Sequence, residues 1–391
     1  MNVEQLFNDY KVQSLYGRYI INDHIEPVLE MLKPHFEVSV AGQSVLGKPI
    51  YNILAGNGKT KVFIWSQMHG NESTTTKAVF DFLNFIISDE SFATTLMGNF
   101  TFNILPILNP DGAERYTREN ANNIDLNRDA FNLTQPESRI LRQAFDNFKP
   151  DYCYNMHDQR SIFGVMDKGN ARPATVSFLS PSYNESRDVN EIREKAMSLV
   201  VAMNETLQRY IPGQVGRFDD SFNINCIGDT FSSLGVPTVL FEAGHYPQDY
   251  EREQTRKFIF FALLSGFNAI HENVIVVNKK QEYFNIPENR IIFFDMMCKN
   301  VKINYENKEI ITNFASQYKE VLFENSVNFQ AVISEIGKLD GFHGHAEYDA
   351  SGAEFVSEDG DKIPATGSKA NFSLGNRKFE NGREITGQPL D

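Results

Sequence analysis

KVFIWSQMHGNE, residues 61–72, carries the pattern from which the fold of this chain is read. Val62 to Trp65 is a short apolar run of β-branched and aromatic residues, the composition of a strand buried within a sheet. The run stops at Ser66. His69 and Glu72 follow, three positions apart, and from Thr74 to Ser88 the apolar residues Ala78, Val79, Phe82, Leu83, Phe85 and Ile86 recur at helical spacing. A buried strand that feeds a helix through a polar turn is the repeating unit of an α/β sheet.

Outward from this unit the alternation continues. An acidic, helix-compatible segment covers roughly Asp23 to Lys33, and FTFNILPILNP, residues 100–110, reads as a second buried strand. A helix is expected over Pro136 to Phe148, with Pro136 at its start, where the missing N–H costs least. A strand from Asp151 to Met156, a helix from Val189 to Tyr210, the strand PTVLFEAG at 237–244 and a helix from Tyr250 to Ile270 complete the series. The order predicts an α/β domain with a mixed, largely parallel central sheet flanked by helices. Ligands of such sheets bind beyond the carboxyl ends of the strands. His69, His157 and Glu242 all fall at or just past a strand end. After His271 the character changes to short strand-like runs, and beyond Gly341 to Gly, Ser, Asp and Asn. Residues 1–272 are therefore expected to form the catalytic domain and 273–391 a small β-rich accessory domain with a flexible tail.

The bulk composition narrows the function. With 41% hydrophobic and 23% charged residues, the 391-residue chain can build ordinary soluble cores. A net charge of −14 argues against a broad nucleic-acid footprint. Cys153, Cys226 and Cys298 are far apart and form no CxxC pair, which suggests neither a cysteine metal site nor a disulfide framework. No basic n-region precedes an apolar run, and no apolar stretch approaches the ~20 residues of a membrane helix. A cytoplasmic protein without membrane or nucleic-acid partners is expected.

Five clusters carry chemistry. In MHGNE, His69 and Glu72 share a face if they lie on a helical turn, and imidazole nitrogen with carboxylate oxygen suits zinc. LNPDG at 108–112 is a turn after a strand. TRENANNIDLNRD at 117–129 gathers Arg118, Asn122, Asn123, Asp125, Asn127, Arg128 and Asp129. NMHDQ places His157 at the end of a buried strand, and FEAGHYP places Glu242 at the end of another, where an ionised carboxylate needs a partner or a function. Taken together and in this order, the clusters resemble the zinc carboxypeptidases, the metallopeptidase family that includes the pancreatic enzymes. The resemblance is to a bacterial-type member with a C-terminal appendage.

The resemblance implies one Zn2+ per chain, held by His69, Glu72 and His157, and Glu242 as the general base toward water. It implies that Arg118 stabilises the oxyanion, that Asn127 and Arg128 hold the free α-carboxylate of a peptide substrate, and that Asp125 orients the His69 ring. The expected activity is hydrolysis of the C-terminal peptide bond. The alternative is a zinc deacylase of N-acyl amino acids, similar to succinylglutamate desuccinylase and aspartoacylase; the NPDG turn and Arg118 favour the peptidase. One departure stands out: RFDDSFNINCIGDTFSSLG, residues 217–235, lacks the mobile tyrosine that pancreatic members carry shortly before the glutamate. Asp158 is read as a local hydrogen-bonding group, and His343 and His345 as solvated loop histidines. The sequence assigns neither an oligomeric state nor the side chain that the specificity pocket accepts.

Overall fold

The computed structural model describes residues 2–273, 279–305 and 308–385. The chain forms two compact units, one of residues 1–160 and 165–289, the other of 161–164 and 290–391.

In the first unit, helices α1 (Val3–Tyr10) and α2 (Asn22–Leu32) precede strands β1 (Glu37–Gln43), β2 (Pro49–Ala55) and β3 (Thr60–Ser66). Then come α3 (Thr74–Ile86), α4 (Ser91–Asn99), β4 (Phe100–Leu105), α5 (Pro110–Arg115), α6 (Pro136–Phe148) and β5 (Tyr152–Asp158). The chain continues through β6 (Phe163–Asp167), β7 (Asn170–Pro173), β8 (Val176–Leu179), α7 (Glu191–Leu207), β9 (Val215–Arg217) and α8 (Ile227–Ser233). β10 (Thr238–Ala243), α9 (Glu253–His271) and α10 (Lys280–Phe284) end the unit.

Eight strands form one mixed sheet in the order β1-β2-β4-β3-β5-β10-β8-β9. Its centre, β4-β3-β5-β10, is parallel, and its flanks bring in antiparallel pairs. The apolar run at 62–65 explains why this sheet is covered on both faces. Side chains alternate across a strand, so Val62 and Ile64 enter one core and Phe63 and Trp65 the other. Helices α1, α3, α7 and α9 pack over the first face, and α6 and α8 contribute Leu141, Phe145, Ile227 and Phe231 to the second.

Segment 12–20, between α1 and α2, has no regular structure, and its carbonyls are taken up by buried cations and polar side chains. Arg256 donates to Val12 O at 2.9 Å and Leu15 O at 2.5 Å, and pairs with Asp81 inside the core. Lys77 donates to Gly17 O at 2.7 Å, Ser73 to Arg18 O at 2.6 Å, and Gln67 to Ile20 O at 2.7 Å. Lys77 also pairs with Glu253 at 2.5 Å, which partners another otherwise costly buried charge.

The first unit extends beyond the boundary expected at 272–273. Tyr283 of α10 is fully buried in the main core, and its hydroxyl accepts from Ser180 N at 2.9 Å. A short aromatic pair, Tyr283-Phe284, in a polar stretch gives no sequence sign of that docking.

The second unit contains β11 (Arg290–Ile291) and a four-stranded sheet, β14-β13-β12-β15, built from β12 (Phe293–Tyr305), β13 (Lys308–Phe323), β14 (Ser326–Gly337) and β15 (His343–Asp349). A second four-stranded sheet is formed by β16 (Phe355–Ser357), β17 (Phe372–Leu374), β18 (Arg377–Glu380) and β19 (Arg383–Glu384). The two share a core of Cys298, Val301, Phe314, Ile333, Phe355, Phe372 and Phe379. Two expectations are corrected here. The Gly- and Ser-rich stretch after Gly341 is strand and turn through Glu384 rather than a loose tail, because Phe355, Phe372, Leu374 and Phe379 supply enough apolar area to anchor it. The end of the expected tail, residues 386–391, lies outside the described residues. His343 and His345 lie on a strand: the His345 ring stacks on Phe293 at 4.6 Å, and its Nε2 meets Ser161 O at 2.8 Å.

Candidate metal centre

The three central strands deliver the chemistry. His69 follows β3 by three residues, His157 is the next-to-last residue of β5, and Glu242 stands opposite His157 in the β5–β10 ladder. Since β3, β5 and β10 are neighbours and parallel, their carboxyl ends meet at one place on the sheet edge.

His69 and Glu72 lie on a β-turn, closed by Glu72 N to His69 O at 3.1 Å, rather than on the helical turn expected; α3 starts only at Thr74. The i to i+3 closure still brings the two side chains together. Gly70 permits the turn, since a Cβ there would lie 1.9 Å from the carbonyl carbon of Gly112 in α5.

The described residues hold one group of three side chains suited to a cation, His69, Glu72 and His157, whose ligand atoms lie within 4.8 Å of one another. His69 Nδ1 is 2.8 Å from Glu72 Oε1, His157 Nδ1 is 2.9 Å from Glu72 Oε2, and the two Nδ1 atoms are 3.1 Å apart. On its other side, His69 Nε2 meets Asp125 Oδ1 at 3.0 Å. That contact assigns the ring proton to Nε2 and turns the Nδ1 lone pair inward. A cation or an additional proton has to fill the space between lone pairs so placed. Zinc fits it: bonds of 2.0–2.1 Å at a tetrahedral angle set ligand nitrogens about 3.3 Å apart. His157 Nε2 is buried and has no hydrogen-bond partner among the described residues.

Electrostatics follow from this crowding. Burial works against the Glu72 anion, but His69 and His157 outweigh it and hold the carboxyl well below its usual range. Burial likewise opposes the His69 cation, yet Glu72 and Asp125 leave its pKa raised. At His157 burial prevails and the pKa is lowered. The Asp125 carboxyl is depressed against its burial by His69, Arg118 and the Asn127 amide. Glu242 is driven the opposite way, raised well above the ordinary value by burial and then by the Glu72 and Asp158 charges. A divalent cation beside Glu72 would relieve that repulsion.

Of the remaining expected residues, Arg118, Asp125 and Asp158 contact this group, whereas Asn127 and Arg128 are tied to the start of α8. Arg118 donates from Nη1 to Glu72 Oε1 at 3.2 Å, and from Nε and Nη2 to Asp125 Oδ2 at 3.2 and 3.1 Å. Asp125 caps the 3-10 turn Leu126–Arg128 by accepting from Asn127 N at 2.8 Å. Asn127 Oδ1 accepts from Ile227 N at 2.9 Å, and Arg128 Nη1 lies 3.1 Å from Cys226 Sγ. Asp158 accepts from the Thr74 and Thr75 amides at 2.9 and 3.2 Å, and its own amide donates to Glu72 Oε2 at 3.1 Å.

Residues that the motifs did not single out also contribute. Asp229 on α8 is buried beside this loop system; Asn223 N donates to it at 2.8 Å, and burial lifts its carboxyl up to about 7. Arg252 donates to the backbone at the ends of both β5 and β10. Neither stands in one of the motif clusters.

Residues 23–167 match the family described as zinc carboxypeptidase. That stretch contains every site residue named above from His69 to His157 and ends before Glu242, whose place follows from strand pairing. Carboxypeptidase 2 of Trichophyton tonsurans is 28% identical over 118 residues, 30% of this chain and 21% of that protein. Gamma-D-glutamyl-L-diamino acid endopeptidase 1 of Lysinibacillus sphaericus is 33% identical over 92 residues, 22% of this chain and 23% of that protein. The chain thus spans about a fifth of the length of these curated relatives. Among solved structures, the metallo-carboxypeptidase from Burkholderia cenocepacia superposes with a TM-score of 0.52 at 18% identity, covering 65% of this chain and 70% of that one. Carboxypeptidase A from Helicoverpa armigera gives 0.51 at 18% identity, covering 69% and 80%. These likenesses are of fold. Residues 23–167, which carry the His-Glu-His group, are thus similar to the zinc carboxypeptidases, and the first unit shares their fold.

Proposed function

We propose that the protein is a zinc-dependent metallocarboxypeptidase that hydrolyses the C-terminal peptide bond of peptides. The observation that carries the reading is the convergence of His69, Glu72 and His157 on one small space, with Glu242 directly across the ladder from His157. A zinc ion held there supplies Lewis acidity, lowering the pKa of water and polarising the scissile carbonyl.

The chain's own residues do the rest. Glu242 accepts a proton from the attacking water and returns it to the leaving nitrogen; its place opposite His157 in the ladder suits that double duty. Arg118, whose guanidinium already bonds Glu72, supplies a fixed cation where negative charge develops on the carbonyl oxygen. Arg128 is exposed and presents a planar fork to a free α-carboxylate, while Asn127 is tied to Ile227 and aims the same segment. Asp125 maintains the His69 tautomer through the 3.0 Å contact.

The test is a digest of a peptide library by zinc-loaded protein, read by mass spectrometry, alongside C-terminally amidated copies and N-acyl amino acids. Removal of single C-terminal residues from free but not amidated peptides is expected. Turnover of N-acyl amino acids alone would overturn the reading.

A further inference from the structure

The loop Gly244–Arg252 leaves β10 and leads into α9, and its last residue is held at a cost. Arg252 is 3% exposed and has left-handed backbone, φ 59° and ψ 31°. That conformation is sterically disfavoured for a non-glycine residue, and a buried guanidinium needs partners to offset its desolvation. The loop pins the residue in place. Its amide donates to Asp249 O at 3.2 Å, and the Asp249 carboxylate accepts from the amides of Glu253, Gln254 and Thr255 at 3.0, 2.7 and 3.2 Å. Thr255 Oγ1 donates to Gly244 O at 3.0 Å.

So held, the guanidinium donates from Nη1 to Ala243 O and from Nη2 to Gln159 O at 2.5 Å. Ala243 follows Glu242 immediately, and Gln159 lies two residues after His157. Ala243 O also accepts from Gln159 N at 2.9 Å, just past the final rung of the β5–β10 ladder, Ala243 opposite Asp158. Beyond that rung no further strand pairing holds the two segments together, and sheet twist would let them diverge. One cation bridges their backbones at this point, one and two residues from the side chains that have to stay in register.

We propose that Arg252 is a positioning residue: it clamps the ends of β5 and β10 and thereby fixes the Glu242 carboxylate relative to His157. The catalytic half of this proposal rests on the reading of Glu242 as the general base. A displacement of about 1 Å at such a group costs on the order of 100-fold in rate, whereas substrate binding through Arg128 is untouched.

Arg252→Gly is the informative variant, because glycine accepts the left-handed backbone and so removes the guanidinium without straining the loop. In Arg252→Gly, amide exchange at Gln159 should accelerate by about tenfold or more. kcat should fall about 100-fold with KM within about twofold of wild type. Guanidinium chloride at about 20 mM, far below denaturing concentrations, should slow the exchange again and restore much of kcat, while methylammonium should do neither. Arg252→Lys keeps the charge but not the two-pronged reach, and should resemble the glycine variant; it carries the comparison if Arg252→Gly does not fold. Unchanged Gln159 exchange, a lysine variant equal to wild type, or a loss that guanidinium leaves unrepaired overturns the proposal. If zinc-loaded wild type cleaves no peptide, the assigned function falls, and the exchange measurements still decide whether the clamp exists.

Discussion

Replacing Asp229 with asparagine should stabilise the protein, and more so the higher the pH. In the folded chain burial lifts this carboxyl from 3.8 to about 7, against the opposing pull of the Asn223 amide, Arg193 and Arg128. The folded state therefore keeps a proton that the unfolded chain has released between roughly pH 4 and 7. The stability linked to that proton is fully present below about pH 4 and is lost as pH rises through about 7. At about 1.4 kcal/mol per pH unit, a lift of about 3 units amounts to about 4 kcal/mol by pH 8. Water reaching the carboxylate reduces this, so about 2–4 kcal/mol is expected. Asparagine escapes the loss, since it stays neutral and retains an oxygen for the Asn223 amide at 2.8 Å. Urea unfolding of metal-free wild type and Asp229→Asn at roughly pH 4, 6 and 8 reads the difference directly. The gap should be small at the lowest pH and widen steadily. A gap independent of pH, or an asparagine variant weaker than wild type near pH 8, would refute the reasoning.

Glu242→Gln should retain zinc, measured by metal analysis, while kcat drops by about 10³-fold or more. Asp125→Asn should weaken zinc binding about 10–100-fold in competition with a chromogenic chelator, because the amide no longer holds the His69 proton on Nε2. Arg128→Ala should raise KM for peptides with a free C-terminus by about 10-fold or more while barely changing weak binding of amidated peptides; equal effects on both would contradict a carboxylate role. Asp81→Ala should lower stability by about 3 kcal/mol, measured by urea unfolding, because it takes the closer of two carboxylate partners from the fully buried Arg256 guanidinium and leaves only Glu253 at 3.1 Å.

Much of the first unit was legible because its signals are local. The run at 62–65, the helical spacing after Thr74 and the early proline at 136 each impose their element without distant help, and β3, α3 and α6 form within a few residues of expectation. The strand-end positions of His69, His157 and Glu242 were readable for the same reason, since a polar side chain closing an apolar run stands out. The β-turn geometry of MHGNE was not, because its closure depends on Gly70 packing against Gly112 in another element. Tyr283 and the strands after Gly341 also escaped notice. Their anchoring is non-local, supplied by Ser180 in one case and by aromatic residues from several short strands in the other. Arg252 has no motif of its own, because its role depends on carbonyls that two different strands bring together.

The irregular segment at 12–20 constrains how the chain is born. The Val12 and Leu15 carbonyls wait for Arg256, which is translated 244 positions after Val12, and the Asp81 carboxylate waits for the same guanidinium. A nascent first unit without α9 lacks that partner, so the layer that joins α1, α3 and α9 closes only after residue 256 has left the ribosome.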